Sequence, residues 1–144
     1  MSEIKCIRAD FNRIIDAAEI CIESYVWLRE PTLDHGCTGF DETELRTMEK
    51  QMERVVTWSR HALQKLPSVT IDDHNTEHVT TITWQMKYVL EFAERNLDCY
   101  DSHRYDDYVI TDADHDEMEK RTLKILSLGR SSRYHFGLMF PEPE

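Results

Sequence analysis

Histidine, carboxylate and arginine side chains recur in this chain at spacings that could support chemistry. His74-Asn-Thr-Glu77-His78 sets two imidazoles four residues apart with a carboxylate between them. On a helix, side chains at i and i+4 share a face and can converge on one zinc ion. The segment falls at an expected helix start, however, where Asn75 interrupts the geometry and no third ligand is indicated. Helix-cap histidines are the competing explanation, with Asp72 and Asp73 nearby as oxygen donors. Asp112-x-Asp114-x-Asp116 opens like a calcium loop, yet its sixth position is Glu117 rather than Gly and its twelfth is Leu123 rather than Glu. Arg130 with His135, Arg54 with His61 and Arg95 with His103 pair a guanidinium with an imidazole, as chemistry on a phosphodiester would require. Glu91 and Glu94 form a carboxylate pair of the kind that holds magnesium. Gly-rich phosphate loops, a GxSxG elbow and CxxC pairs are all absent from the sequence. No catalytic residue, metal site or cofactor is therefore expected.

Such groups need elements to hold them. Ile4, Ile7, Phe11, Ile14, Ala18, Cys21, Tyr25 and Leu28 recur at alternating spacings of three and four, a heptad seam. Pro31 ends it, because proline removes a helical hydrogen bond and clashes with the preceding turn. The spacing predicts a helix over about 3–29. Pro31, Gly36 and Gly39 mark 31–40 as a loop, and Asp41 with Glu44 stands at capping-box spacing. A second seam runs Leu45, Met48, Met52, Val55, Ser59, Ala62 and Leu66 before Pro67. A third runs Val79, Ile82, Met86, Val89, Ala93, Leu97 and Tyr100, with Asp72, Asp73 or Asn75 to cap it. Residues 101–111 lack the period. Asp112 or Asp114, the latter three residues before Glu117, opens a last helix with Met118, Thr122, Ile125 and Leu126 on one face and Gly129 at its end.

Beyond Gly129 the pattern changes. Tyr134, Phe136, Leu138 and Phe140 alternate with other residues at a period of two. This predicts an extended strip that pairs with Tyr108-Val109-Ile110 or lies across the bundle, where Phe136 and Phe140 could cover Trp84 and Tyr88. With only 4 Gly and 4 Pro, a turn-rich β architecture is excluded. The expected fold is all-α, an up-and-down antiparallel bundle of about four helices with an extended C-terminal tail over 130–144, in one domain spanning 1–144. A coiled-coil homodimer is the competing use of such regular heptads.

Lys and Arg number 17 against 28 Asp and Glu, a net charge of −11. That argues against direct binding of nucleic acid and against docking on an anionic membrane. No apolar run approaches the ~20 residues of a membrane span, and the first residues carry no basic or apolar leader. The four cysteines read as reduced thiols, so a cytoplasmic location is expected. The acidity is local. Residues 98–119 hold nine acidic side chains and one arginine, whereas 120–136 hold five basic side chains and no acidic one. Asp112, Asp114, Asp116 and Glu117 suit the positive end of a helix dipole; Asp98 to Asp107 have no such explanation. Asp101, Asp106, Asp107, Asp112, Asp114 and Asp116, interleaved with Tyr105 and Tyr108, could present charge as phosphates do and attract a protein whose own ligand is nucleic acid. Tyrosine would supply contact area there. Trp84 and Tyr88, four residues apart and off the apolar seam, add a second exposed aromatic pair.

In charge and size the chain resembles small acidic helical proteins that block restriction or CRISPR complexes. The resemblance implies a phage-type, anti-CRISPR inhibitor acting in a host cytoplasm, and it is one of class, not of motif. The spacing of Arg130 and His135, and of Arg54 and His61, is similar to that of HEPN-class ribonucleases; Arg95 and His103 stand one residue too far apart. Glu91 and Glu94 resemble the first carboxylate motif of all-α nucleotide pyrophosphatases, without the second. The expected function is non-enzymatic: a decoy that occupies a partner protein's nucleic-acid-binding surface. The residues assigned to that contact are Asp101, Tyr105, Asp106, Asp107, Tyr108, Asp112, Asp114, Asp116, Trp84 and Tyr88. The rival is a small hydrolase on a helical bundle, using His74, Glu77 and His78 with a metal or Arg95 and His103 on RNA.

Overall fold

A computed structural model describes residues 2–29, 42–69 and 72–141. The first seam forms α1 (Glu3–Arg29), the second α2 (Glu42–Lys65), the third α3 (Thr76–Tyr105), and the last helix is α4 (Asp112–Met139). Ile7, Phe11, Ile14, Ala18, Cys21 and Tyr25 are all buried, as are the second-seam residues from Leu45 to Leu66, the last of them in a 3-10 turn just past α2. Heptad spacing thus became one continuous core. α1 packs on α2 and α4, and α3 packs on the same two, closing a four-membered ring. The pairing is antiparallel. Cys21 near the end of α1 meets Met48 near the start of α2, and Arg8 donates to the Phe140 carbonyl beyond α4. The bundle expected from sequence is the one observed. The loop expected over 31–40 and the Asp41 end of the expected capping box lie outside the described residues, as does the Leu28 side chain.

The C-terminal strip differs from expectation. Residues 130–139 continue α4 instead of extending, so no strand forms with Tyr108–Ile110. The helical seam passes through Ile125, Gly129, Ser132 and Phe136, all buried, and its small members hide the period. Of the alternating set, Tyr134 and Leu138 are exposed at 65% and 51% while Phe136 is sealed against Phe11, ring centroids 5.4 Å apart. Position 134 also lies some 33 Å along α4 from Asp112, at 1.5 Å per residue, too far to reach the 108–110 segment. Residues 142–144 lie outside the described residues. Gly129 is not a helix end either. A Cβ there would stand 3.3 Å from Ile15 Cγ1, so the glycine lets α4 approach α1 closely.

Two caps also differ. The N-cap of α4 is Thr111, in a reciprocal box with Asp114: Thr111 Oγ1 accepts from the Asp114 amide at 3.1 Å, and the Asp114 carboxylate accepts from the Thr111 amide at 2.9 Å. Threonine takes the role assigned to Asp112 or Asp114 because its extended backbone directs the hydroxyl at the orphan amide. Ahead of α3, Asp72 accepts from the amides of His74 and Asn75, whereas Asn75 occupies the cap position without a side-chain bond.

Candidate partner-binding surface

The antiparallel order brings the end of α3, the start of α4 and the start of α2 to one end of the bundle. Asp107 makes the turn possible. Its φ of 54° lies in the left-handed region, which Asp tolerates better than most residues. The chain leaves α3 there, and the Tyr108 amide closes on the Ser102 carbonyl at 3.1 Å. Tyr108 then donates its hydroxyl to Asp114 at 2.7 Å. Asp114 therefore serves the cap and the loop together, and these contacts hold its carboxyl below the usual range. His103 braces the other side. Nδ1 meets the Tyr108 carbonyl at 2.8 Å and Nε2 meets the Glu42 carboxylate at 2.7 Å. Both partners only accept, so these contacts favour the charged ring, which donates from both nitrogens. The Glu42 bond first, then the Tyr108 carbonyl, raises its pKa.

This end therefore holds most of the residues assigned from sequence. Asp101, Tyr105, Asp106, Asp107, Tyr108, Asp112 and Asp116 are exposed, and Asp114 is half-buried. Tyr105 reaches 73% exposure. Beside them a cavity of about 470 Å³ is lined by residues of both signs, including Glu42, Arg46, Glu49, His103, Arg104 and Asp107. Arg104 pairs with Glu49, whose burial raises its pKa against the pull of that guanidinium.

The basic residues of α4 are directed elsewhere. Lys120 meets Glu117 within its own helix at 3.4 Å, and Arg130 pairs with Glu19 of α1 at 3.7 Å. Arg121 donates to Asn96, Arg133 to Asn12, and Lys124 stands over the Phe92 ring. Starting ~12 Å from Asp112 and running away from it, these cations lie along the barrel of the bundle rather than at its acidic end.

Trp84 and Tyr88 do not join the acidic group. They lie on α3 about 25 Å below Asp101, exposed at 54% and 37%. Their rings meet edge-to-face at 4.4 Å, and Phe92 continues the ridge at 6.0 Å from Tyr88. Phe136 and Phe140 pack on each other and towards Phe11 and Arg8, not over this pair. Asp98, fourteen residues after Trp84 and so nearly four full turns on, sits along the same outward face.

The residues singled out for chemistry are dispersed. His74 is exposed, while His78 turns to His135 across the bundle. Arg95 pairs with Glu91 and Arg60 with Glu94. Among the described residues, no group of three or more His, Cys, Asp or Glu is placed to hold a metal ion. Burial pushes the Cys21 thiol up to about 12.

One polar constellation was missed from sequence. Asp10 is fully buried, and both its oxygens stand 3.0 Å from His61 Nδ1. Arg13 approaches Asp10 at 3.6 Å and lies over Trp58, whose ring meets His61 edge-on at 5.7 Å. The available signal was positional: Asp10 follows Ile7 by three and precedes Ile14 by four, which is core spacing.

Fold and surface together define a four-helix antiparallel bundle with one acidic end. Comparison with known proteins finds no matching family model, no matching curated protein and no matching solved structure.

Proposed function

We propose that this chain is a non-enzymatic protein-binding module whose acidic end occupies the nucleic-acid-binding surface of a partner protein. One observation carries the reading: exposed carboxylates of one sign crowd the α3–α4 turn, while the cations of α4 are engaged along the helix barrel. Such a surface attracts a basic groove by the same long-range field that draws in phosphates. Tyr105 and Tyr108 offer the amphipathic contact area common at interface hot spots. The capping box and the His103 brace pre-organise the turn, which lowers the ordering cost of binding. The partner class that fits is a nucleic-acid-binding protein or complex, a bacterial defence complex among them.

The test neutralises charge without disturbing the scaffold. Asp101, Asp106, Asp107, Asp112 and Asp116 are changed to Asn, and Asp114 is kept for its cap. Asp107→Asn is conformationally safe, since Asn also accepts the left-handed region. The variant is expected to fold like wild type, to bind the partner far more weakly and to lose most of the salt dependence of binding. Equal affinity across the series would remove the decoy reading.

A further inference from the structure

The H-x-x-E-H segment has no part in the acidic end, yet its second histidine meets a partner from the far end of the chain. His78 lies in the first turn of α3 and His135 near the end of α4. Their Nδ1 atoms stand 3.0 Å apart, their ring centroids 5.2 Å apart, and the ring planes are inclined by 44°. Both residues are half-buried. Two imidazole nitrogens facing each other at that distance share one N–H···N hydrogen bond, in the space that a bridging metal ion would take.

A divalent transition metal occupies the same kind of position. Zinc–nitrogen bonds of about 2.0–2.1 Å at a tetrahedral angle set two ligand nitrogens roughly 3.3 Å apart. The observed 3.0 Å therefore needs an opening of only a few tenths of an ångström. The helices that carry the rings are already in register. Two turns after His78 and one turn before His135, Gln85 donates to Ser131 at 2.8 Å and accepts from Ser132 at 2.7 Å, fixing α3 against α4. Tyr134 packs edge-on against His135 at 5.8 Å between centroids. Backbone and rings are thus set before any ion arrives, so little ordering remains to oppose coordination.

We propose that His78 and His135 form a two-histidine clip for a divalent transition metal, zinc above all, which ties α3 to α4 at the end of the bundle remote from the acidic turn. Water completes the coordination, so the site is open rather than closed. Nitrogen donors select zinc, nickel or copper over calcium or magnesium, which prefer oxygen. The pairing that matters is between helices, not the His74–His78 pair that the sequence spacing suggests.

The experiment titrates zinc chloride into the metal-free full chain by calorimetry and follows the melting temperature in parallel. Wild type is expected to take up one equivalent, to melt higher with zinc than without, and to leave magnesium unbound at this site. His78→Gln and His135→Gln should each weaken zinc uptake at least tenfold and abolish the zinc-dependent rise in Tm, while His74→Gln changes neither. The glutamine variants keep a polar side chain at half-buried positions; circular dichroism of the metal-free forms confirms that the fold is retained. Absence of zinc uptake by wild type overturns the proposal. So does uptake that persists in the doubly substituted chain, which would place the ion elsewhere, or a His74→Gln effect equal to that of His135→Gln.

Discussion

Removing His61 should expose how much the bundle depends on one buried carboxylate. Asp10 has no exposed surface and lies among core residues of α1, with His61 Nδ1 at 3.0 Å from both oxygens and Arg13 at 3.6 Å. Burial is the main influence on Asp10, raising its pKa, and the His61 bond opposes it. A raised carboxyl pKa means the folded state binds its proton more readily than the unfolded state does. Stability therefore falls as pH rises from the ordinary Asp value of 3.8 through the raised one. His61→Ala takes away the principal partner and leaves the charge in the core. Breaking such a pair costs about 3–5 kcal/mol, and the remaining Arg13 contact places this case near 3 kcal/mol. With a urea m-value of roughly 2 kcal/mol/M, the unfolding midpoint drops by about 1.5 M. Asp10→Asn keeps an oxygen for the His61 N–H and removes the charge, so it should stay within about 1 kcal/mol of wild type. The double variant, lacking both charge and ring, is expected to recover about 2 kcal/mol of the His61→Ala loss at pH 7. The same loss should shrink near pH 4, where Asp10 accepts a proton. Urea denaturation of all four chains at both pH values gives the cycle. A His61→Ala cost under about 1 kcal/mol, or a double variant no more stable than His61→Ala, would refute this reasoning.

The two glycines of α4 should respond oppositely to substitution. Gly129→Val is expected to lower stability by about 1–3 kcal/mol, because a Cβ there already meets Ile15 Cγ1 at 3.3 Å. Gly137→Ala meets nothing within 4 Å and should raise stability by about 0.5–1 kcal/mol; thermal melts of both variants check the pair. Proton NMR titration should find His103 titrating above the ordinary 6.5 and His115 below it. The Glu42 bond stabilises charged His103, so its contribution is present below 6.5 and fades as pH rises through its folded pKa. Burial disfavours charged His115, so stability is lost as pH falls below 6.5. An inverted order of the two titrations would contradict the Glu42 bond at His103 and the burial of His115.

The bundle was legible because an apolar seam at three- and four-residue spacing leaves few alternatives. Every seam residue from Leu45 to Leu66 is buried, and α1 spans Glu3–Arg29 where the seam predicts about 3–29. The end of α3 was less legible. Asp98 to Tyr105 contains no helix breaker, yet among its eight residues only Tyr100 is buried on the seam, so acidity there masked helix. The α4 tail misled for the reverse reason: the seam runs through Gly129 and Ser132, which carry little hydrophobic signal, while exposed Tyr134 and Leu138 imitate a strand. Of the assigned surface residues, the acidic set shares one end because chain order along α3 and α4 leaves it no other place. Trp84 and Tyr88 belong to a separate ridge, which their position on α3 already implied. Asp10–His61 and His78–His135 were hidden, since pairs 51 and 57 residues apart leave no local pattern.

The central claim is that the acidic turn stands in for nucleic acid. The direct measurement captures partners with the full chain from nuclease-treated lysate of the organism that carries it, then challenges the captured proteins with DNA and RNA. The Asn-substituted chain runs in parallel. The account predicts that wild type retains a nucleic-acid-binding protein, that added nucleic acid displaces it, and that the substituted chain fails to retain it. Capture of the same proteins by both chains, or capture that nucleic acid leaves untouched, would contradict it.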